Sequence, residues 1–310
     1  MNTAGDTSVA IRVTFCGVRG STPAPGAAFV RYGGHTSCVA ISDGSGPPRL
    51  VLDGGTGLSA VAGLLDGSPY SGTVLLGHLH WDHTHGLPFF RAGGDAARVD
   101  VYLPEQGQSA EDVLARAFSP PHFPIFPAQL GVGWTFAGLD EGRHDLDGYA
   151  VLAREIPHKG GRTFGYRVGR GGVSVAYLSD HSPTSAGPGP DGLGERHDAV
   201  LELAAGADLL VHDAQHLASQ FPGVGYLGHA SVEYAVAVAR EAGVRTLALY
   251  HHDPGRTDDE VDEIERHARS LAGPDLAVHA AYEGMVLDLP LFEPPERNAI
   301  GVAHAAVPEL

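Results

Sequence analysis

Gly77-His78-Leu79-His80-Trp81-Asp82-His83 is the stretch on which the fold is decided. The apolar run before it predicts a strand over 73–77, so the histidines fall on a loop at a strand end, where a rigid scaffold presents chemistry. Imidazole suits Zn, Fe and Ni, and carboxylate oxygen also suits Mn, so this mixture of residues is a metal-ligand set. In an extended turn His78 and His80 point the same way, while Asp82 and His83 address a second point nearby. One ion cannot use all four well. Two ions, typically about 3.5–4 Å apart, can, and such pairs clamp the attacking and leaving oxygens of a displacement.

On the N-terminal side, residues 9–16, 37–42 and 49–53 predict strands, with Asp43-Gly-Ser-Gly-Pro-Pro48 as a turn. Residues 57–65 predict a helix, 99–103 a strand and 109–118 a helix. The prolines at 120, 121, 124 and 127 exclude a helix interior there. Strands dominate 132–179, among them Val151–Ile156, Thr163–Val168 and Val173–Ser179, and 182–194 reads as a loop. Helices over 195–205, 231–242 and Thr257–Leu271 then alternate with strands Asp208–His212 and Arg245–Tyr250, and 275–288 suggests two last strands. Thr257 with Glu260 makes a capping box, and Val261, Ile264, Ala268 and Leu271 form one face. Each half runs from strands to helices, and no linker divides them. The expected fold is α/β with a layered α+β organisation: one domain over 9–289, a four-layer αββα sandwich, flanked by tails at 1–8 and 290–310.

A chain of 310 residues with 43% hydrophobic content can bury a real core and is not disordered by composition. The net charge of −17 argues against broad nucleic-acid binding, which needs a basic face. Cys16 and Cys38 lie in strand-like surroundings and read as free structural thiols. The N-terminus shows no basic patch followed by an apolar run, and no apolar stretch reaches about 18 residues, so neither a signal peptide nor a membrane span is expected and the default location is cytoplasmic. Of the 18 histidines, His35, His122, His144, His197, His216, His267, His279 and His304 read as solvated or hydrogen-bonded. His85, His181 and His212 are candidates to orient the ligands, which need outer partners.

His78-x-His80-x-Asp82-His83 resembles the signature of the metallo-β-lactamase superfamily. Phe15-Cys-Gly-Val-Arg-Gly-Ser-Thr-Pro23, Val51-Leu-Asp-Gly-Gly-Thr-Gly57, Tyr177-Leu-Ser-Asp180, Leu210-Val-His-Asp-Ala-Gln215, Gly228-His-Ala-Ser231 and Leu249-Tyr-His-His252 are similar to segments of the branch that holds tRNA 3′-processing endonucleases (tRNase Z) and related cyclic-nucleotide-type phosphodiesterases. The resemblance implies the four-layer sandwich and two divalent ions, with His78, His80 and His158 on one, Asp82, His83 and His251 on the other, and Asp180 bridging. His158, Asp180 and His251 each follow a predicted strand, which puts them at strand ends on one edge. Neighbouring strand positions face opposite ways, so only one of His251 and His252 should point at the ions; the alignment prefers His251. The set contains no Cys, so ligand softness does not select the metal; Zn is the first choice, with Mn or Fe as alternatives.

The resemblance further implies attack by a metal-bridging hydroxide oriented by Asp82, with His229 as general acid and Asp213 on its other ring nitrogen. Asp213 stands where the family has Glu, and Gln215 where it has Thr. The tRNA-processing enzymes carry a long arm between the segments matching His158 and Asp180; here residues 159–179 suffice for two strands and a turn. With the acidic balance, that disfavours long nucleic acid and tRNA 3′-end cleavage. The expected substrate is a small phosphodiester, nucleotide-like and including cyclic nucleotides. The alternatives are a lactone, thioester or other ester hydrolase of the same fold, which would not need His229, and a metal-binding accessory or carrier protein. Members of this branch are often dimers, so a homodimer is an open expectation. Phe123 and Phe126 with their prolines read either as a lid or apolar wall or as loop packing.

Overall fold

The computed structural model describes residues 9–291. The tail expected at 1–8, most of that at 290–310, and His304 lie outside the described residues.

In chain order the strands are β1 (Val9–Gly17), β2 (Cys38–Ser42), β3 (Pro48–Leu52), β4 (Ser71–Leu75), β5 (Arg98–Pro104), β6 (Trp134–Leu139), β7 (Gly142–Leu146), β8 (Tyr149–Glu155), β9 (Phe164–Arg170), β10 (Val173–Leu178), β11 (Leu209–Asp213), β12 (Thr246–Tyr250), β13 (Ala277–Ala280) and β14 (Val286–Pro290). The α-helices are α1 (Leu58–Val61), α2 (Trp81–Thr84), α3 (Ala110–Ala115), α4 (Asp198–Ala204), α5 (Phe221–Val224), α6 (Val232–Glu241) and α7 (Asp258–Ala272). One sheet runs β14-β1-β2-β3-β4-β5-β6 and the other β13-β12-β11-β10-β9-β8-β7. β14 pairs antiparallel with β1, so the end of the domain closes against its beginning, and Pro290 belongs to a strand opposite Val9 rather than to a tail.

Strand alternation explains the layers. Val13, Phe15, Val39 and Leu50 of the first sheet meet Tyr166, Val175, Tyr177 and Tyr250 of the second in a buried core between the sheets. The opposite face of the second sheet is covered by α4, α6 and α7 through residues such as Leu203, Val236, Val238 and Ile264. The opposite face of the first is covered by α1 and α3 through Leu58, Val61 and Leu114. This is the αββα sandwich. Truncating a central side chain such as Leu50 removes contacts on all sides, a loss of about 2–5 kcal/mol.

α7 shows the local logic. Thr257 Oγ1 accepts from the Glu260 backbone while Glu260 Oε2 accepts from the Thr257 backbone. Asp258, Asp259 and Glu260 sit at the positive end of the helix dipole. Val261, Ile264, Ala268 and Ala272 are buried; Ala272 takes the place expected for Leu271, which is only partly buried.

Several expected helices are shorter than drawn. The helix expected over 57–65 is α1 followed by a 3-10 turn at Ala62–Leu64, 109–118 shrinks to α3, and 195–205 to α4. Gly57 and Gly63 weaken the first, and Pro120 lies just beyond the second. The predicted strand at 73–77 is displaced to β4, which leaves Leu76 and Gly77 as the lead into the histidine loop. β9 and β10 are joined through Gly171 and Gly172 and, with the short links flanking them, account for the whole interval between His158 and Asp180. Among the described residues no helix is long and apolar enough to cross a membrane. Cys16 and Cys38 are free and buried.

Candidate metal centre

Strand ends deliver the site. His78 and His80 follow β4, and α2 begins directly after His80, carrying Asp82 and His83 in one turn. His158 follows β8, Asp180 follows β10 and His251 follows β12. The loops after these strands converge at one edge of the sandwich.

The seven residues meet around the Asp180 carboxylate. Its Oδ2 lies 3.6 Å from His78 Nε2 and 3.4 Å from His158 Nε2, and His80 Nδ1 is 3.4 Å from that His158 nitrogen. Its Oδ1 lies 3.1 Å from His83 Nε2 and 3.2 Å from His251 Nε2. Asp82 Oδ2 stands 3.2 Å from the same His83 atom and 3.1 Å from the same His251 atom. The donor atoms therefore form two groups, one of His78, His80, His158 and Asp180, the other of Asp82, His83, Asp180 and His251, each with its atoms within 4.8 Å of one another.

The surroundings set the donor nitrogens. His83 Nδ1 is 2.7 Å from Asp53 Oδ2, and His158 Nδ1 is 2.8 Å from the Gly228 carbonyl, so each ring donates outward and turns the Nε2 lone pair inward. His78 Nε2 and His83 Nε2 are buried with no hydrogen-bond partner. Buried polar atoms are ordinarily satisfied, so such nitrogens facing a shared carboxylate fit a cation. Close approach is built in at two glycines: a Cβ on Gly20 would overlap the His251 imidazole, and one on Gly160, whose φ is +86°, would crowd His80 Nε2.

Electrostatics say the same. Burial pushes His78, His80 and His158 down, so they stand neutral as ligands must. Burial also opposes charge on His83, but Asp82, Asp180 and Asp53 outweigh it and raise this imidazole well above its ordinary value. His251 is raised to about 9 against its own burial, chiefly by Asp180 and Asp82. Asp82 and Asp180 are held well below the carboxylate range because their imidazole neighbours outweigh the penalty of burial. The centre favours positive charge, which divalent ions would supply with every imidazole deprotonated.

His251 has φ +57°, a left-handed conformation that is costly for a side chain bearing a Cβ. That twist separates it from His252, whose Nε2 donates to the Ala281 carbonyl at 2.9 Å. Of the pair left open by the sequence, His251 faces the carboxylates.

Beside the centre His229 Nδ1 lies 3.0 Å from Asp213 Oδ2, and His229 stacks on His251 with ring centroids 4.8 Å apart. Asp213 is lowered by His229 despite complete burial. A cavity of about 350 Å³ opens on the site, lined by Ser21, Leu79, His80, Trp81, Asp82, Asp180 and His229. Phe123 and Phe126 are not in that lining; Phe123 packs edge-on against Phe89 and Phe118, which is loop packing.

Two contributors lie in stretches quoted from the sequence but receive no role there. Asp53 is fully buried and accepts from Gly77 N, Tyr177 Oη and Ser179 Oγ besides facing His83; its place in the glycine turn after β3 was the available signal. Ser21, at φ +63°, donates its backbone N–H to Asp82 Oδ2 at 2.6 Å and accepts from Gln215 Nε2 on Oγ. His216, expected in a solvated or hydrogen-bonded role, is instead buried with Nε2 unpartnered, because backbone pairing with Ala230 and Val232 draws its segment inward. His181 bonds His197 at 2.8 Å, and its backbone N–H donates to Asp213. His212 turns toward the Asp213 carbonyl, and His85 stacks on Trp81.

The chain is similar to known proteins in family and fold. The family model described as the beta-lactamase superfamily domain matches residues 53–252. Ribonuclease Z of Natronomonas pharaonis is 26% identical over 336 residues, covering 91% of this chain and 99% of its own. Among solved structures, the metallo-beta-lactamase fold protein YhfI of Bacillus subtilis superposes with a TM-score of 0.66 at 20% identity, covering 90% of this chain and 98% of its own. A diphosphatase from the PhnP family gives 0.62 at 18% identity, covering 91% and 98%. The expectation that long nucleic acid is excluded gains no support here, since the relative spanning nearly the whole chain is named a ribonuclease.

Proposed function

We propose, from the premise that the chain belongs to the beta-lactamase superfamily and is a metal-dependent hydrolase, that it is a dinuclear phosphodiesterase acting on a small, nucleotide-like phosphodiester, cyclic nucleotides included. His78, His80 and His158 would hold one divalent ion, Asp82, His83 and His251 the other, with Asp180 between them; Zn is the first choice and Mn or Fe the alternatives. When bound, such a pair supplies Lewis acidity toward the phosphoryl oxygens and a water acidified toward neutrality.

The chain's own residues then divide the work. Asp82, fixed by the Ser21 N–H, orients the attacking water toward phosphorus from the cavity floor. His229, held at Nδ1 by Asp213, offers Nε2 to the leaving oxygen and delivers a proton there, a contribution typically worth about 10²–10⁴-fold. His229 on the cavity wall, backed by buried Asp213, is the observation that carries the reading, because an alkoxide leaving from phosphorus needs a proton and this imidazole stands where one can be delivered. The tight β9–β10 connection supports a small substrate.

A second reading, cleavage of an RNA 3′ end, is favoured by the full-length likeness to a ribonuclease Z. Hydrolysis of bis(p-nitrophenyl) phosphate, a homoserine lactone and a precursor tRNA by the metal-loaded protein separates the readings. Turnover of the diester alone supports the proposal. Preferential cleavage of the lactone, or of the tRNA, replaces it.

A further inference from the structure

Trp81 is anomalous for a residue set between two of the proposed ligands. It lines the cavity, yet it is 67% exposed. His85 lies nearly parallel to it, with an interplanar angle of 18° and centroids 5.4 Å apart, which orients the indole without covering it. A large flat apolar surface left to water beside a polar centre is what a stacking ligand would cover.

A second observation points to the same place. The chain contains one lysine, Lys159, and it directly follows His158. Its stem lies over Gly228, whose carbonyl fixes His158, and its Nζ is 5.5 Å from the ring centre of exposed Tyr226. Among the described residues it forms no ion pair, although acidic side chains far outnumber basic ones. His80 Nδ1 and His158 Nε2 are 3.4 Å apart, so Trp81 and Lys159 are the next residues after two ligands that touch.

We propose that Trp81 and Lys159 form a nucleotide subsite beside the metal centre, Trp81 stacking on a nucleobase and Lys159 facing a phosphate oxygen. This rests on the phosphodiesterase reading and narrows it to diesters that carry a nucleoside. Stacking on an aromatic side chain tolerates any base, so the subsite selects nucleotides over alkyl diesters rather than one base over another.

The test keeps the leaving group constant. Thymidine 5′-(p-nitrophenyl) phosphate and methyl p-nitrophenyl phosphate release the same phenolate and differ only in the nucleoside. Trp81→Ala should raise KM for the thymidine ester about 10-fold or more and leave the methyl ester within about 2-fold. Lys159→Met should raise KM for both esters alike, because both carry the phosphate, and Lys159→Arg should restore it; an unchanged KM in Lys159→Met would take the lysine out of the subsite. Binding is read separately. The chain has two tryptophans, so Trp134→Phe leaves Trp81 as the reporter, and AMP should quench its fluorescence saturably. Equal losses on both esters in Trp81→Ala, with no AMP quenching, would overturn the subsite. Quenching without hydrolysis of either ester would instead overturn the phosphodiesterase reading and leave the nucleotide platform standing. Quenching by a short RNA but not by AMP would overturn the small-nucleotide form of the proposal.

Discussion

His83 Nδ1 stands 2.7 Å from Asp53 Oδ2, with both side chains fully buried. The same carboxylate accepts from the backbone of Gly77, from Tyr177 of the opposite sheet and from Ser179. One side chain thus fixes the tautomer of a proposed ligand, the entry to the histidine loop and the strand end that leads to Asp180. Asp53→Asn removes the charge and places an amide where donors converge. Metal affinity should fall by about 10–100-fold, measured by competition with a chromogenic chelator, and unchanged affinity would show that Asp53 is structural only.

His229 and Asp213 make a prediction about leaving groups. His229→Ala should cut turnover of an alkyl-leaving diester by about 10²–10⁴-fold and that of a p-nitrophenyl diester by far less, because nitrophenolate leaves unaided. Asp213→Asn should follow the same pattern more weakly. Equal losses on both substrates would remove the proton-donor role from His229.

Gln215 acts at a distance from the centre. Its Nε2 holds Ser21 Oγ at 3.1 Å, its backbone N–H donates to Asp213 Oδ1 at 3.1 Å, and Ser21 N–H holds Asp82. Gln215→Leu should lower kcat by about 10-fold while metal content stays at the wild-type value, since a misplaced group slows a reaction without abolishing it. Loss of metal in parallel would make Gln215 a structural residue instead.

The extent to which sequence foretold the structure follows from how local each signal is. The proposed ligands are legible because each sits in a short motif or directly after an apolar strand, and strand ends converge in a layered fold. His251 could not be separated from His252 on residue order, since the decision lies in a left-handed backbone at His251 that breaks strand alternation. Asp53 stood in a recognised turn, but its role depends on Tyr177 and Ser179, which are distant in the chain. His216 looks like an ordinary loop histidine in the sequence because only its pairing with residues near 230 buries it.

His252 gives a pH signature. Burial first, then the charges of Arg19, Arg256 and His251, lower its pKa to about 3. The folded value lies below the unfolded one of about 6.5, so its contribution to stability is fully present above pH 6.5 and is lost as pH falls toward 3, at up to about 1.4 kcal/mol per unit. His252→Gln, which can still donate to the Ala281 carbonyl, should flatten the fall in urea-unfolding stability between pH 6 and pH 4. Parallel wild-type and variant curves would contradict this.

The central claim is that one carboxylate is shared between two ion sites. Anomalous diffraction from crystals of the metal-loaded protein tests it most directly. The account predicts two peaks per chain, one among His78, His80 and His158 and one among Asp82, His83 and His251, with Asp180 touching both. A single peak, or peaks elsewhere, would contradict it.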